Sequence, residues 1–149
     1  MQSLFNSTEN NNIIERINKL SADTKQLWGK MKVAQMLAHS QTTLLVALGE
    51  KKLKSGLMGF LFGKIAKKQL LKDAPFKQNM PTAPSFIVKD EREFDVEKDK
   101  LIQLIQKFGN ANAEEIAGRP HPFFGKLTKD EWDVLQWKHL DHHLKQFGV

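Results

Sequence analysis

Hydrophobic positions recur at helical spacing in the first third of the chain. A helix is predicted over about Thr8 to Leu20, where four aliphatic residues share one stripe: Ile13, Ile14, Ile17 and Leu20. A second helix is predicted over about Met31 to Leu48, and it is apolar on nearly every side. A helix of that kind usually lies buried in the middle of a bundle. Gly49 follows it, where a C-terminal glycine belongs.

The same spacing predicts two helices in the last third of the chain. One runs from about Asp95 to Phe108, and Gly109 follows it as a stop signal. The last helix runs from about Thr128 to Phe147. It opens with a capping box, because the Thr128 hydroxyl can accept from the Glu131 amide while the Glu131 carboxylate reaches back.

The segments between these helices carry the turn-forming residues. Residues 51–72 have leucines at helical spacing, but three glycines weaken that pattern: Gly56, Gly59 and Gly63. Residues 74–92 contain three prolines and are expected to form an extended surface connection, and residues 110–127 form another loop. No strand alternation of useful length occurs. We therefore expect an all-α fold, a four-helix bundle with a long crossover between the second and third bundle helices, in one domain over residues 1–149.

The composition fits a globular domain. Of the 149 residues, 40% are hydrophobic and 27% are charged, which argues against an intrinsically disordered chain. Apolar runs are only a few residues long, so no transmembrane helix is expected. The N-terminal residues lack the basic and apolar regions of a secretory signal, and a cytoplasmic location is the default expectation. The absence of cysteine excludes disulfides, thiolate metal ligands and a cysteine nucleophile in this chain.

The formal net charge of +6 comes from one segment of the chain. Residues 51–72 contain seven lysines and no acidic residue, whereas the rest of the chain has 16 basic and 17 acidic residues. Such a patch could contact phosphates or an anionic surface, or it could be a solvated helix face above apolar residues. No nucleic-acid partner is expected, because the basic charge is local.

The chemistry open to this chain lies in its five histidines. His139 and His143 are one turn apart on the last helix and about 40° apart around its axis, so both point toward the core. Two imidazoles at this spacing can converge on one metal ion, or they can be hydrogen-bonded core histidines. His142 lies nearer the helix edge, and Asp141 points roughly opposite, among the solvated residues.

A third histidine lies midway along the most apolar helix. His39 requires an explanation there, because burying an imidazole costs solvation unless its nitrogens find partners. Added to His139 and His143 from a facing helix, it gives a three-histidine site in the bundle core, where helical bundles build their metal sites. Three neutral nitrogen ligands leave a coordination position open, as in catalytic sites. Leu140 follows His139, so this is not the HExxH protease motif.

Two stretches of the sequence resemble the DinB superfamily. The N-terminal stretch contains Trp28-Gly29-Lys30-Met31 followed by Gln35-Met36-Leu37-Ala38-His39. The C-terminal stretch contains His121-Pro122-Phe123-Phe124-Gly125, then Glu131-Trp132, then the run from Lys138 to Gly148. The similarity covers nearly the whole chain and is most specific in the C-terminal stretch. Within the superfamily, the chain is most similar to a bacterial branch related to the YfiT-like metal-dependent hydrolases.

This resemblance implies a four-helix bundle with a long crossover, which agrees with the hydrophobic pattern. It also implies a metal triad made of one histidine on the second helix and a His-x-x-x-His pair on the last, which by position are His39, His139 and His143. The ion that the resemblance implies is divalent, most often nickel or zinc. Better-studied relatives transfer low-molecular-weight thiols, so a small-molecule substrate is implied. His121 and His142 go beyond the common triad.

Two functions are consistent with these features. The first is a divalent-metal-dependent enzyme, either a hydrolase or a thiol S-transferase. His142 and His121 are then the candidate catalytic residues, for proton transfer or substrate contact. Three glutamines could orient the ligands: Gln35, Gln136 and Gln146. Because coordinating imidazoles must be neutral, metal affinity is expected to fall below about pH 6.

The second function is a non-catalytic binding module. Residues 51–72 would then dock on a partner or on an anionic membrane surface, since six apolar residues lie beside the lysines: Leu57, Met58, Phe60, Leu61, Phe62 and Ile65. The same residues could instead cover the end of the bundle or form a homodimer contact. Substrate, metal and oligomeric state are left open by the sequence.

Overall fold

The computed structural model describes residues 2–54, 57–72 and 74–149, excluding the side chains of residues 57, 58 and 60. The chain is mostly helical, and the described residues form six α-helices and one two-stranded sheet. The helices are α1 (Ser7–Asn18), α2 (Val33–Ala47), α3 (Leu57–Leu70), α4 (Phe94–Gly109), α5 (Ala113–Ile116) and α6 (Lys129–Gln146). A 3₁₀ turn, Pro84–Phe86, lies between α3 and α4. Strands β1 (Pro120–His121) and β2 (Gly125–Lys126) pair antiparallel.

The four long helices predicted from hydrophobic spacing are present, with ends within two residues of the prediction. Side chains at the helix starts explain these ends. The Asn6 side chain accepts hydrogen bonds from the amides of Thr8 and Glu9 and begins α1. Thr128 and Glu131 form the predicted capping box of α6, with N–O distances of 3.2 and 2.8 Å.

Helix α2 is the most deeply buried helix of the described chain. It packs against α4 and α6, and α1 packs against the same two helices. Thirteen of its 15 residues are buried, which agrees with its apolar character on nearly every side. One of its buried polar side chains pairs with α4, through a hydrogen bond of 2.7 Å from Gln41 Nε2 to Glu97 Oε2.

Helix α3 forms despite the glycines that weaken its pattern. Gly59 and Gly63 face the loop between β1 and β2, and a Cβ atom on Gly59 would lie 2.8 Å from the carbonyl oxygen of Pro122. A Cβ atom on Gly63 would collide with the carbonyl oxygen of Phe123. The glycines therefore permit close backbone approach between α3 and this loop. Gly56 lies outside the described residues, as do the side chains of Leu57, Met58 and Phe60.

The predicted loop over residues 110–127 has more structure than expected. Asn112 and Glu115 form a capping box that starts the single turn of α5. The hairpin of β1 and β2 follows. Gly118 lies before β1 and Gly125 is the first residue of β2, and their φ angles are 77° and 74°. Its strands are two residues each, too short for an alternating pattern to appear in the sequence.

One side chain of α6 lies in a different environment from the predicted one. Asp141 was expected among solvated residues, but it is only 7% exposed. Helix α1 packs on that side of α6, and Arg16 forms an ion pair of 2.9 Å with Asp141. Lys145 adds a second ion pair of 2.8 Å. None of the helices in the described ranges is long and apolar enough to cross a membrane.

Candidate metal centre

Three histidine rings from two helices meet at one point in the interior. Helix α2 contributes His39, and α6 contributes His139 and His143. The Nε2 atom of His139 lies 3.0 Å from Nε2 of His39 and 3.2 Å from Nε2 of His143. His39 and His143 are buried and His139 is partly buried, and their ligand atoms all lie within 4.8 Å of one another. The residues form a buried three-histidine group that could hold a metal ion.

Backbone and side-chain acceptors fix the tautomers of two of these rings. The Nδ1 atom of His39 lies 2.8 Å from the carbonyl oxygen of Phe86, which can only accept, so Nδ1 carries the proton. The Nδ1 atom of His143 lies 2.8 Å from Gln146 Oε1. Gln146 is oriented by its own Nε2, which donates to the carbonyl of Trp28 at 2.7 Å. Both rings therefore present an unprotonated Nε2 to the centre.

The third ring is oriented through a hydroxyl. Thr43 Oγ1 donates to Gln136 Oε1 at 2.9 Å, so its lone pairs are free to accept. The Nδ1 atom of His139 lies 3.3 Å from the same hydroxyl oxygen, which can accept its N–H. In that tautomer, the chain of contacts from Gln136 through Thr43 to His139 leaves the Nε2 of this ring free to bind a cation.

These contacts make the group suited to a cation. With Nδ1 protonated on each ring, the three Nε2 lone pairs would face one another, an arrangement that a positive charge between them stabilises. Two nitrogens bound to one tetrahedral zinc ion lie about 3.4 Å apart, close to the separations of 3.0 and 3.2 Å seen here. The Nδ1 atom of each ring lies within hydrogen-bond distance of a protein oxygen, the arrangement typical of metal-bound histidines.

The surroundings of the rings keep them neutral. Burial, followed by the neighbouring His143 and His39, holds the pKa of His139 well below its ordinary value. Burial also lowers the pKa of His39, and it lowers the pKa of His143 to about 3. Neutral imidazole is the form that binds a metal, so the protein environment favours the ligand form.

His142 lies outside this group, on a cleft at the surface. Its ring packs against Trp28 and Phe76, with centroid distances of 5.9 and 6.0 Å. The cleft has a volume of about 390 Å³, and Trp137 and Lys145 also line it. Burial lowers the pKa of His142, so the ring is predominantly neutral at pH 7. The ring of His142 joins the cleft to the three-histidine group, since its centroid is 5.2 Å from that of His143.

His121 is buried and belongs to the hairpin that follows α5. Its Nδ1 accepts from the amides of Phe123 and Phe124, at 3.1 and 3.2 Å. Its ring stacks on Phe86, with a centroid distance of 5.8 Å and an interplanar angle of 15°. Burial lowers the pKa of His121 to about 4. The ring therefore holds the turn of the hairpin and touches the residue whose carbonyl orients His39.

Two supporting groups were not predicted from the sequence. Thr43 is one turn after His39 on the same helix. The only feature of the sequence that indicated its role is that it is a polar residue on an apolar helix face. The role of the Phe86 carbonyl leaves no signal in the sequence, because every residue has a backbone carbonyl. Of the glutamines expected to orient ligands, Gln146 contacts His143 directly and Gln136 acts through Thr43. Gln35 lies elsewhere: its Oε1 accepts from the Lys32 amide at the start of α2.

Comparison with known proteins gives a family without an assigned activity. The chain belongs to the DUF1569 family, described as a protein of unknown function, whose family model matches residues 2–148. No curated protein and no solved structure matches the chain. The family match includes all three histidines of the centre, and its description names neither a reaction nor a ligand. The function is therefore inferred from the site.

Proposed function

We propose that this protein is a divalent-metal-dependent enzyme of the DinB superfamily. Helices α1, α2, α4 and α6 would form a four-helix bundle in which the segment between α2 and α4, which includes α3, is the crossover. The mutual packing of these helices supports this arrangement, since α2 and α1 each contact both α4 and α6. The position of the histidines on α2 and α6, facing each other across the interior, agrees with the same arrangement.

One observation carries the proposal. The Nδ1 atoms of His39, His139 and His143 each lie within hydrogen-bond distance of a protein oxygen, and their Nε2 atoms meet at 3.0 and 3.2 Å. A proton shared between two of these Nε2 atoms would leave the third without a partner. Nickel or zinc suits such a set of neutral imidazole ligands. A divalent cation bound there supplies Lewis-acid polarisation of a substrate oxygen or sulfur atom.

The cleft beside His142 is the proposed substrate site. Trp28 and Phe76 give it aromatic walls, and the indole Nε1 atoms of Trp28 and Trp137 are buried without a hydrogen-bond partner. His142 would accept a proton from the attacking nucleophile, because its ring is predominantly neutral at pH 7. His121 would act indirectly: its ring holds Phe86, whose carbonyl orients His39. The reaction classes that fit are hydrolysis of a small ester or amide and transfer of a low-molecular-weight thiol.

The first test is elemental analysis of protein purified without a histidine tag, because tags supply their own imidazoles. We expect about one nickel or zinc ion for each chain. Metal-stripped and reloaded protein would then be assayed for thiol conjugation and for ester and amide hydrolysis. Activity that returns only on reloading supports the proposal. A chain that takes up neither ion from solution at neutral pH contradicts it.

A further inference from the structure

Helix α3 packs its small residues against the protein and exposes large apolar residues to solvent. Its small residues Gly59 and Gly63 pack against the loop between β1 and β2, and Leu70 on the same side of the helix is buried. Its large apolar residues point the other way: Leu61 is 55% exposed, and Ile65 is 69% exposed. These two lie within about 40° of each other around the helix, nearly opposite the glycines. An amphipathic helix of a globular protein normally buries such residues.

Lysines flank one side of this apolar face. Lys64 and Lys68 are exposed and lie beside Leu61 and Ile65 on the helical wheel. Lys67 lies nearer the body of the protein and pairs with Glu131 of α6 at 2.7 Å. No acidic residue occurs between positions 51 and 72. The outer face of α3, defined here as Leu61, Phe62, Lys64, Ile65 and Lys68, is therefore apolar with a positive edge along one side.

We propose that the outer face of α3 docks on an anionic lipid surface. An exposed apolar face beside lysines is the pattern of a helix that lies in the plane of a membrane interface. The apolar residues would enter the acyl boundary while the lysine ammonium groups contact lipid phosphates. The inner face of α3 would keep its contacts with the hairpin loop, because the glycines and Leu70 face away from the lipid.

Charge argues against a second copy of this chain as the occupant. A two-fold contact through this face would bring Lys64 and Lys68 against the same lysines of the other copy, with no carboxylate on the face to neutralise them. The chemistry of the face also favours lipid over an acidic protein. It offers apolar area and diffuse positive charge, without the directional hydrogen-bonding groups that a specific protein contact uses.

The test is co-sedimentation of the full chain with vesicles. One set is phosphatidylcholine alone, and the other is phosphatidylcholine mixed in equal parts with phosphatidylglycerol. We expect binding to the mixed vesicles at about 0.15 M salt and its loss at about 1 M salt, where the screening length falls to about 3 Å. Equal binding to both vesicle types, or no binding to either, would overturn the proposal.

Paired variants separate this face from the rest of the surface. The double variant Lys64→Ala with Lys68→Ala should bind about 25-fold more weakly, since each lysine at an anionic surface contributes a factor of about five. Its control, Lys25→Ala with Lys30→Ala, removes the same charge from the connection before α2 and should bind as the unchanged chain does. If both double variants lose affinity equally, net charge rather than this face is responsible and the proposal fails.

A second pair tests the apolar contribution. Leu61→Gln with Ile65→Gln should weaken vesicle binding about tenfold or more for each side chain. The control is Leu27→Gln with Val96→Gln, because both residues are exposed outside α3. All four double variants should bind zinc as the unchanged chain does. If the unchanged chain sediments as a dimer that Leu61→Gln with Ile65→Gln dissociates, and neither binds vesicles, the face is a contact between copies and the lipid proposal is wrong.

Discussion

The Nδ1 atom of His39 lies 2.8 Å from the carbonyl oxygen of Phe86. Phe86 ends the short 3₁₀ turn between α3 and α4, and its side chain is buried. Its ring stacks on His121, so one residue of this connection contacts two histidines through different groups. The connection is therefore part of the candidate metal centre, since it holds His39 in the tautomer that a metal ion would require.

The first prediction concerns which histidines hold the ion. His39→Ala should abolish stoichiometric binding of zinc or nickel, because it removes the only ligand from α2. The helical content should persist, although an unpaired Phe86 carbonyl would cost about 1–3 kcal/mol of unfolding free energy. Elemental analysis and circular dichroism would measure the two effects.

His142→Ala is the matched control for that substitution. It should retain the metal, because the ring of His142 packs on Trp28 and Phe76 outside the converging nitrogens. Tight metal binding by His39→Ala would remove this residue from the site. Loss of metal from His142→Ala, with His143→Ala retaining it, would reverse the assignment on α6.

The helices and the histidine pair were predictable because their signals are local. Apolar spacing places the four long helices within two residues of their ends. The 3.6-residue period places His139 and His143 on one face and His142 off it. His39 was predictable for a different reason: a lone imidazole in an apolar helix requires a partner.

The parts that were not predictable depend on packing between distant segments. The burial of Asp141 follows from Arg16 of α1 lying beside it, which no pattern within α6 indicates. The glycines of α3 weaken its helical pattern, but in the fold they are the contact surface with the hairpin. A backbone carbonyl such as that of Phe86 acquires its role only through tertiary structure.

The second prediction concerns Gln146, a positioning residue for His143. Gln146→Leu should lower zinc affinity about 10- to 100-fold, the usual cost of losing the acceptor behind a metal-bound histidine. The control is Gln106→Leu on the exposed side of α4, which should leave affinity unchanged. Competition with a chromophoric chelator would measure both. Equal affinities for the two variants would show that the contact of 2.8 Å between Gln146 and His143 does not support the site.

The third prediction concerns the pH dependence of stability at His121. Burial lowers its folded-state pKa to about 4, below the unfolded value of about 6.5. Between these values the unfolded chain binds a proton here and the folded chain does not. The contribution of His121 to the free energy of unfolding is therefore fully present above about pH 6.5. It is lost as pH falls toward about 4, and the unfolding free energy then changes by about 1.4 kcal/mol per pH unit.

His121→Asn should remove that slope while keeping an acceptor for the Phe123 and Phe124 amides. Urea unfolding of metal-free protein between about pH 4.5 and about pH 6 would compare the two chains. The other buried histidines contribute equally to both curves. An unchanged slope in His121→Asn would mean that this imidazole already protonates in the folded state.

The fourth prediction concerns the link between α6 and the end of α3. Lys138 Nζ donates to three backbone carbonyl oxygens, those of Leu70, Lys72 and Ala74. Lys138→Met should leave these acceptors with fewer partners, and it should lower the free energy of local opening of this segment by about 1–3 kcal/mol. Hydrogen exchange of amides in residues 68–78 should accelerate while zinc binding persists. Lys100→Met, an exposed lysine of α4, is the control and should change neither. Unaltered exchange in Lys138→Met would contradict the prediction.

The last prediction concerns how metal binding depends on pH. From the sequence alone, metal affinity is expected to fall below about pH 6, as free histidines take up protons. In the fold, burial lowers the pKa values of His39 and His139, and lowers the pKa of His143 to about 3. The folded, metal-free rings are therefore still neutral below about pH 6.5. Protons compete with the ion only at lower pH than the sequence predicts.

The rise in melting temperature on zinc addition should accordingly still be present at about pH 5.5, one unit below the ordinary histidine pKa. Both melting temperatures should themselves fall between about pH 7.5 and about pH 5.5, because a lowered folded-state pKa means that the unfolded chain takes up protons first. Thermal scans of chelator-treated and zinc-loaded protein would measure the difference. A zinc-dependent rise that disappears by about pH 5.5 would show that the rings titrate as free histidines do. If the rise is already absent at about pH 7.5, the three histidines do not form a metal site, because an ion bound only to the folded state must stabilise it.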